Sequence, residues 1–299
     1  MLFSLATLAT TVLSLGNLCD AAPISENHKH HEHKRGATCS FPNLDELVSV
    51  GANGWAQDGE CQAGQYCQYA CQPGYLMGQW NPAVTSYTYP GSQQGGLFCN
   101  DNGELEKPIS ANDYCYKGKG TANVLNSASQ NVAFCQTVLP GNEAMLIPTN
   151  VDASDSATLA VPGTDYWAST AAHYYINPPG VSTEEGCVWG STANPYGNWS
   201  PYVAGMNMDN NGNTFAKIGW NPVYFEDSSP FKNQKPNFGI RLTCEDPSKC
   251  NGATCEINPN TYGLNAVSDS QQQADSNGAA WCMITATDNS AVSIEVFDL

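Results

Sequence analysis

Hydrophobic positions recur along this chain in short alternating runs, not in helical stripes. Val292, Ile294 and Val296 alternate with Ser293, Glu295 and Phe297, a period of two that predicts a half-buried strand over 291–297. Similar runs predict strands at 173–176, 186–189, 215–220, 238–244 and 280–286. Residues 144–148 read as a strand stopped by Pro148, because proline cannot donate to a ladder. Asn102-Gly103, between Phe98 and Leu105, predicts a hairpin turn. One short helix is expected over 44–50, and 118–130 reads as a polar loop or weak helix. With 27 Gly, 18 Pro and no long helical pattern, the chain is expected to be all-β and sandwich-like. The polar run 150–157 is short, and apolar sequence returns at Leu159. A cysteine-rich part, 36–148, and an aromatic-rich β part, 149–299, are therefore expected to pack as one body.

The N-terminal end reads differently. Residues 2–18 are mostly apolar, and Ala21 and Ala22 precede Pro23, so 1–22 is expected to be a secretory signal. Residues 23–35 read as a pro-segment holding a histidine tract and ending in Lys34-Arg35, a dibasic site for a processing protease. Cleavage there removes every histidine except His173, which excludes a multi-histidine metal site. No metal and no cofactor are expected. Cys19 leaves with the signal. The even set that remains is Cys39, Cys61, Cys67, Cys71, Cys99, Cys115, Cys135, Cys187, Cys244, Cys250, Cys255 and Cys282, which predicts six disulfides without fixing their pairing.

Charge narrows the partners. Against 28 acidic residues stand 11 Lys and Arg, a net charge of -17. Such a chain is a poor ligand for nucleic-acid phosphates or an anionic membrane; a neutral glycan or a cationic surface suits it better. No hydrophobic tail follows Phe297-Asp298-Leu299, so neither a membrane span nor a lipid anchor is expected there. The stretch 161–225 gathers Trp167, Trp189, Trp199, Trp220 and several tyrosines beside carboxylates and amides. That composition fits a polysaccharide groove, and it fits an aromatic β-core equally well.

Specific motifs add to this reading. Cys61-x5-Cys67-x3-Cys71 precedes a distant Cys99. The runs Gly197-Asn198-Trp199-Ser200-Pro201-Tyr202-Val203-Ala204-Gly205 and Lys217-Ile218-Gly219-Trp220-Asn221-Pro222 follow. Thr164-Asp165-Tyr166-Trp167 and Tyr174-Tyr175-Ile176-Asn177-Pro178-Pro179-Gly180 complete the set. Through these the chain, from about Phe41 to Leu299, resembles the fungal SUN family of secreted cell-wall proteins. The Cys71–Cys99 interval is longer than the family's, which suggests a loop insertion near 87–94. The later half also resembles a thaumatin-like β-sandwich. The resemblance implies a secreted, cell-wall glycoside hydrolase of β-glucosidase or β-1,3-glucanase type, with the wall's β-glucan as partner, remodelling the wall in growth or septation. The alternative is a non-catalytic β-glucan-binding or structural wall protein.

Glycoside hydrolysis uses two carboxyls, one to protonate the leaving oxygen and one to attack the sugar or activate water. The candidates are Asp209, Glu184, Asp165, Glu226 and Asp58. Asp165 abuts Tyr166-Trp167, Glu184 precedes Cys187, and Asp209 sits in an asparagine-rich run that departs from a calcium loop by opening on Asn207. Trp167, Trp189, Trp199, Tyr202, Trp220 and Asn207 are the expected sugar contacts, since an aromatic face covers a pyranose while amides bind its hydroxyls. Two of these four tryptophans are expected in the core. Trp199, set among Asn198, Ser200 and Pro201, is expected to be the most exposed. Asn198-Trp199-Ser200 is a glycosylation sequon, with Pro201 after it as an unfavourable neighbour.

Overall fold

A computed structural model describes residues 36–57, 59–86, 94–141, 147–252, 255–268 and 272–299. The expected signal and pro-segment, Asp58 and nearly all of the expected insertion near 87–94 lie outside the described residues. Two sheets form the main body. The larger runs Ile147–Val151, Val132–Val138, Ala172–Ile176, Tyr202–Met208, Thr214–Trp220, Ala280–Ala286, Cys250–Asn251, with Gln273–Ala274 paired to Ala280–Ala286. Its pairings are antiparallel. The smaller sheet runs Ser156–Thr158, Ala122–Asn126, Val292–Asp298, Phe238–Cys244, Cys255–Ile257, and Ala122–Asn126 joins Val292–Asp298 in parallel.

Period-two patterning gives each sheet an inner and an outer face. Tyr202, Ala204, Met206 and Met208 are buried, while Val203, Gly205 and Asn207 are half-buried on the opposite side. Val292, Ile294 and Val296 are fully buried. The inner faces share one core that includes Phe134, Tyr174, Tyr202, Trp220, Phe238 and Ile294, as in a β-sandwich. Tyr202 centres an aromatic cluster, its ring 5.0 Å from Trp220 and 4.8 Å from Phe238. Its hydroxyl donates to the Phe238 carbonyl at 2.9 Å. The Trp220 indole donates to the Ala266 carbonyl at 2.9 Å, so the polar edges of both rings are satisfied on burial.

Upstream, small sheets of two and three strands enclose a second core of Trp55, Tyr69, Met77 and Leu97. This part docks through Leu76, Trp80 and Tyr116 on the main core, and Tyr166 donates its hydroxyl to the Met77 carbonyl at 2.8 Å. Residues 36–299 cluster as one compact unit. Six disulfides pair Cys39–Cys99, Cys61–Cys67, Cys71–Cys115, Cys135–Cys187, Cys244–Cys250 and Cys255–Cys282. Among the described residues the one group with metal-ligand spacing is Cys39, Cys61 and Cys99, and all three sulfurs are engaged in those bridges. No helix among the described residues is long and apolar enough to cross a membrane.

Several local expectations change. Residues 118–130 contain the strand Ala122–Asn126. Its polar Asn126 is tolerated in the interior because Nδ2 donates to the carbonyls of Gln130, Val151 and Asp152. Residues 44–50 contain the short strand Leu47–Val48 instead of a helix. Residues 183–186 form a helical turn where 186–189 was expected to be extended. Ser182 caps it by accepting from Glu185 N at 3.3 Å, and this Ser-x-x-Glu spacing is a helix-start signal in the sequence itself. Pro148 lies within Ile147–Val151 and does not end it, since that strand is the sheet edge. The Asn102-Gly103 turn does connect paired strands, Leu97–Cys99 and Leu105–Glu106, with Gly103 at φ +78°.

Candidate functional site

The outer face of the larger sheet carries an open cleft of about 670 Å³. Strand register assembles its floor. Thr137, His173, Gly205, Lys217 and Met283 stand opposite one another in a single row across five strands. A neighbouring row holds Tyr175, Val203, Gly219 and Trp281, and Asn207 pairs with Phe215 beyond the first. Five strands at a spacing of ~4.8 Å make a floor roughly 19 Å across. Gly205 keeps the floor low, and Gly219 beside it leaves room for Trp281. A Cβ on Gly205 would stand 3.1 Å from the His173 ring, and one on Gly219 would stand 2.8 Å from Trp281 Cβ. Lys217 extends its ammonium to 4.1 Å from the Trp281 ring centroid. Partial burial lowers the Lys217 pKa, and the Asp275 carboxylate opposes that shift.

One wall is the turn Pro222–Phe225, with Asn221 before it and Glu226 after it. Asn221 is buried and donates to the carbonyls of Asn198 at 2.7 Å and Ser200 at 2.8 Å, while accepting from Val223 N at 3.2 Å. The motifs around Trp199 and Trp220 are thus fastened together, and their shared task is to fix this wall. Asn177 acts similarly, donating to the Ala133 carbonyl and accepting from Gly197 N. Glu226 is exposed on the rim, with the Ser228 hydroxyl 3.4 Å away. Asn277 lines the cleft from a separate turn, which Asp275 caps by accepting from Asn277 N and Ala279 N at 2.9 Å.

The other expected carboxylates lie elsewhere. Asp209 closes the hairpin between Tyr202–Met208 and Thr214–Trp220, accepting from Asn213 N at 2.9 Å and Asn211 N at 2.8 Å. The Asn213 backbone and side chain lead the contacts that hold its pKa below the usual value, the opposite of what a proton donor needs. Asp165 accepts from the Tyr116 hydroxyl and pairs with Lys119 at 2.9 Å, which also lowers its pKa. Glu184 sits at the start of the short helix and lines a different cleft of about 690 Å³ beside Trp55. Backbone hydrogen bonding lowers its pKa as well. Of the four described candidate acids, Glu226 alone lines the floor cleft, which Asn207 also lines.

The aromatic expectations divide. Trp167, Tyr202 and Trp220 are buried at 6%, 0% and 1% exposure, so packing consumes them and they offer no face to a ligand. Two of the four tryptophans are therefore core, as expected. Trp189 is the exposed one, at 46%, whereas Trp199 is half-buried against the core. Asn198, the sequon asparagine, is buried in the fold, with its Oδ1 accepting from Gly190 N at 2.8 Å. Sequence reasoning passed over Tyr175, Lys217 and Trp281. The alternation within 173–176, 215–220 and 280–286 was the available signal, because it places these residues on the face opposite the core.

Comparison with known proteins completes the description. The sequence is 59% identical over 282 residues to the uncharacterized protein YMR244W of Saccharomyces cerevisiae, covering 91% of this chain and 79% of that protein. It is 50% identical over 266 residues to the probable secreted beta-glucosidase adg3 of Schizosaccharomyces pombe, covering 87% of this chain and 23% of that longer protein. It is 34% identical over 271 residues to the probable secreted beta-glucosidase UTH1 of Saccharomyces cerevisiae, covering 85% of this chain and 67% of that protein. Among solved structures, the thaumatin-like xylanase inhibitor TLXI aligns at 11% identity with a TM-score of 0.33, covering 59% of this chain and 98% of the inhibitor. The family described as Beta-glucosidase (SUN family) matches residues 34–284, and the chain belongs to that family.

Proposed function

We propose that the protein is a secreted, β-glucan-directed protein of the fungal cell wall, and that the floor cleft binds a β-linked glucan or β-glucoside and hydrolyses it, with Glu226 as one of the reacting carboxyls. The observation that carries this reading is the cleft itself: a broad floor with Tyr175 and Phe215 beside amides and a single rim carboxylate. Apolar ring faces cover sugar C–H surfaces, and Asn207 and Asn277 offer donors and acceptors to hydroxyls. The names of the related adg3 and UTH1 proteins, probable secreted beta-glucosidases, support hydrolysis and secretion.

A second reading, binding without cleavage, is favoured by one observation. Among the described residues, Glu226 is the one carboxylate that lines the cleft, whereas hydrolysis uses two. Chain-length analysis of laminarihexaose incubated with wild type and Glu226→Gln separates the readings. Shortened products from wild type, lost in Glu226→Gln, support hydrolysis. Intact hexaose that is nonetheless retained by the protein supports binding alone, and failure to bind any β-glucan overturns both.

A further inference from the structure

We infer that Lys217 is the residue of the cleft floor that reads the glucan, donating from its ammonium to sugar hydroxyl or glycosidic oxygens, and that Trp281 and Gly219 are positioning residues that hold it. This rests on the reading that the cleft takes β-glucan. Lys217 stands in the central row of the floor, opposite Gly205 on one side and Met283 on the other. Gly205 has no side chain to cover that flank of Lys217, and both residues line the open cleft.

Trp281 lies diagonally beside Lys217, and its ring takes one face of the ammonium at 4.1 Å. The ring holds that place because Gly219 is opposite; a Cβ there would press on Trp281 Cβ at 2.8 Å. Trp281 therefore serves as a cation–π seat for Lys217. The lysine has three donors, and no described residue accepts a hydrogen bond from them or pairs with the ammonium at ion-pair distance. A partly desolvated cation without protein acceptors gains strongly from oxygens that a ligand brings. Burial also depresses its pKa while Asp275 favours the charged form.

The acceptor oxygens belong to a neutral sugar, not to a polyanion. The chain carries 28 acidic and 11 basic residues, and Glu226 stands on the rim of this cleft. A chain of uronates or phosphates would be repelled on approach, whereas hydroxyls would not.

Calorimetric titration of laminarihexaose into wild type, Lys217→Met, Lys217→Arg and Trp281→Leu tests the inference. Loss of a charged hydrogen bond weakens binding by about tenfold or more in Lys217→Met. Lys217→Arg recovers part of that loss, and Trp281→Leu falls between wild type and Lys217→Met, with thermal midpoints close to wild type. A second measurement on the wild-type protein is independent of how the variants fold. Laminarihexaose should slow acetylation of Lys217 by acetic anhydride, read by peptide mass mapping, without protecting the exposed Lys235. Wild-type affinity in Lys217→Met, or acetylation of Lys217 unchanged by the sugar, overturns the role of Lys217 and leaves the cleft reading standing. Absence of hexaose binding by the wild type overturns both.

Discussion

At the scale of single residues, the structure separates polar groups that hold the chain from polar groups that face the cleft. Asp165 and Asp209 belong to the first kind. The Tyr116 hydroxyl donates to Asp165, and burial, with that hydrogen bond, pushes the Tyr116 pKa up to about 12, so that donor stays protonated across the ordinary range. Asp165 titrates below its usual 3.8 in the folded chain. A group with a lowered folded pKa stabilises the fold fully above the unfolded value and loses that contribution as the pH falls through the folded one. The thermal midpoint of wild type should therefore exceed that of Asp165→Asn near neutrality, and the gap should close as the pH drops below 3.8. A gap that widened with acid would contradict the pairing. The aromatics divide in the same way. Trp220→Ala should cost about 3–5 kcal/mol of unfolding free energy in urea, as expected for emptying a packed core. Tyr202→Phe should cost about 1 kcal/mol for its buried hydrogen bond, and Trp189→Ala, on the surface, should leave the midpoint close to wild type. The sequence could not sort these rings, because Trp199 and Trp189 both sit in polar surroundings and exposure depends on which loop folds over them.

At the scale of elements, the floor is a product of register. Pairing Gly205 with Lys217 and Lys217 with Met283 aligns residues far apart in sequence. A one-residue slip would send them into the core and bring Ile218 and Met206 to the surface. Gly205→Leu should fill the cleft above His173 and abolish laminarihexaose binding while the strand stays paired, which calorimetry with a thermal melt would show. Unchanged binding would mean that the sugar sits elsewhere. The strands at 215–220, 238–244, 280–286 and 291–297 were legible from alternation, since each buries one face and shows the other. Ala122–Asn126 was not, because its asparagines read as loop until the Gln130 carbonyl and two distant ones, Val151 and Asp152, supply the partners of Asn126. The cleft itself was only partly legible. Asn207 and Glu226 were identified from composition, but the neighbours that give them a shared surface follow from strand order, which no local pattern encodes.

At the scale of the whole molecule, two sheets and a cysteine-rich part form one unit over 36–299, stapled by bridges that span 6 to 60 residues of sequence. The evenness of the cysteine set was legible, but the partners were not, since spacing alone does not fix which sulfurs meet. Each bridge restricts the unfolded chain by roughly 2–4 kcal/mol, so mild reduction should lower the thermal midpoint steeply; a melt insensitive to dithiothreitol would contradict that role. Where the sugar sits on this unit is read most directly from backbone amide NMR shifts during titration with laminarihexaose. The perturbed amides should cluster on Thr137, His173, Gly205, Lys217 and Met283 and on the wall from Asn221 to Glu226. Perturbations confined to the cleft beside Trp55 and Glu184, or none at saturating sugar, would contradict that placement.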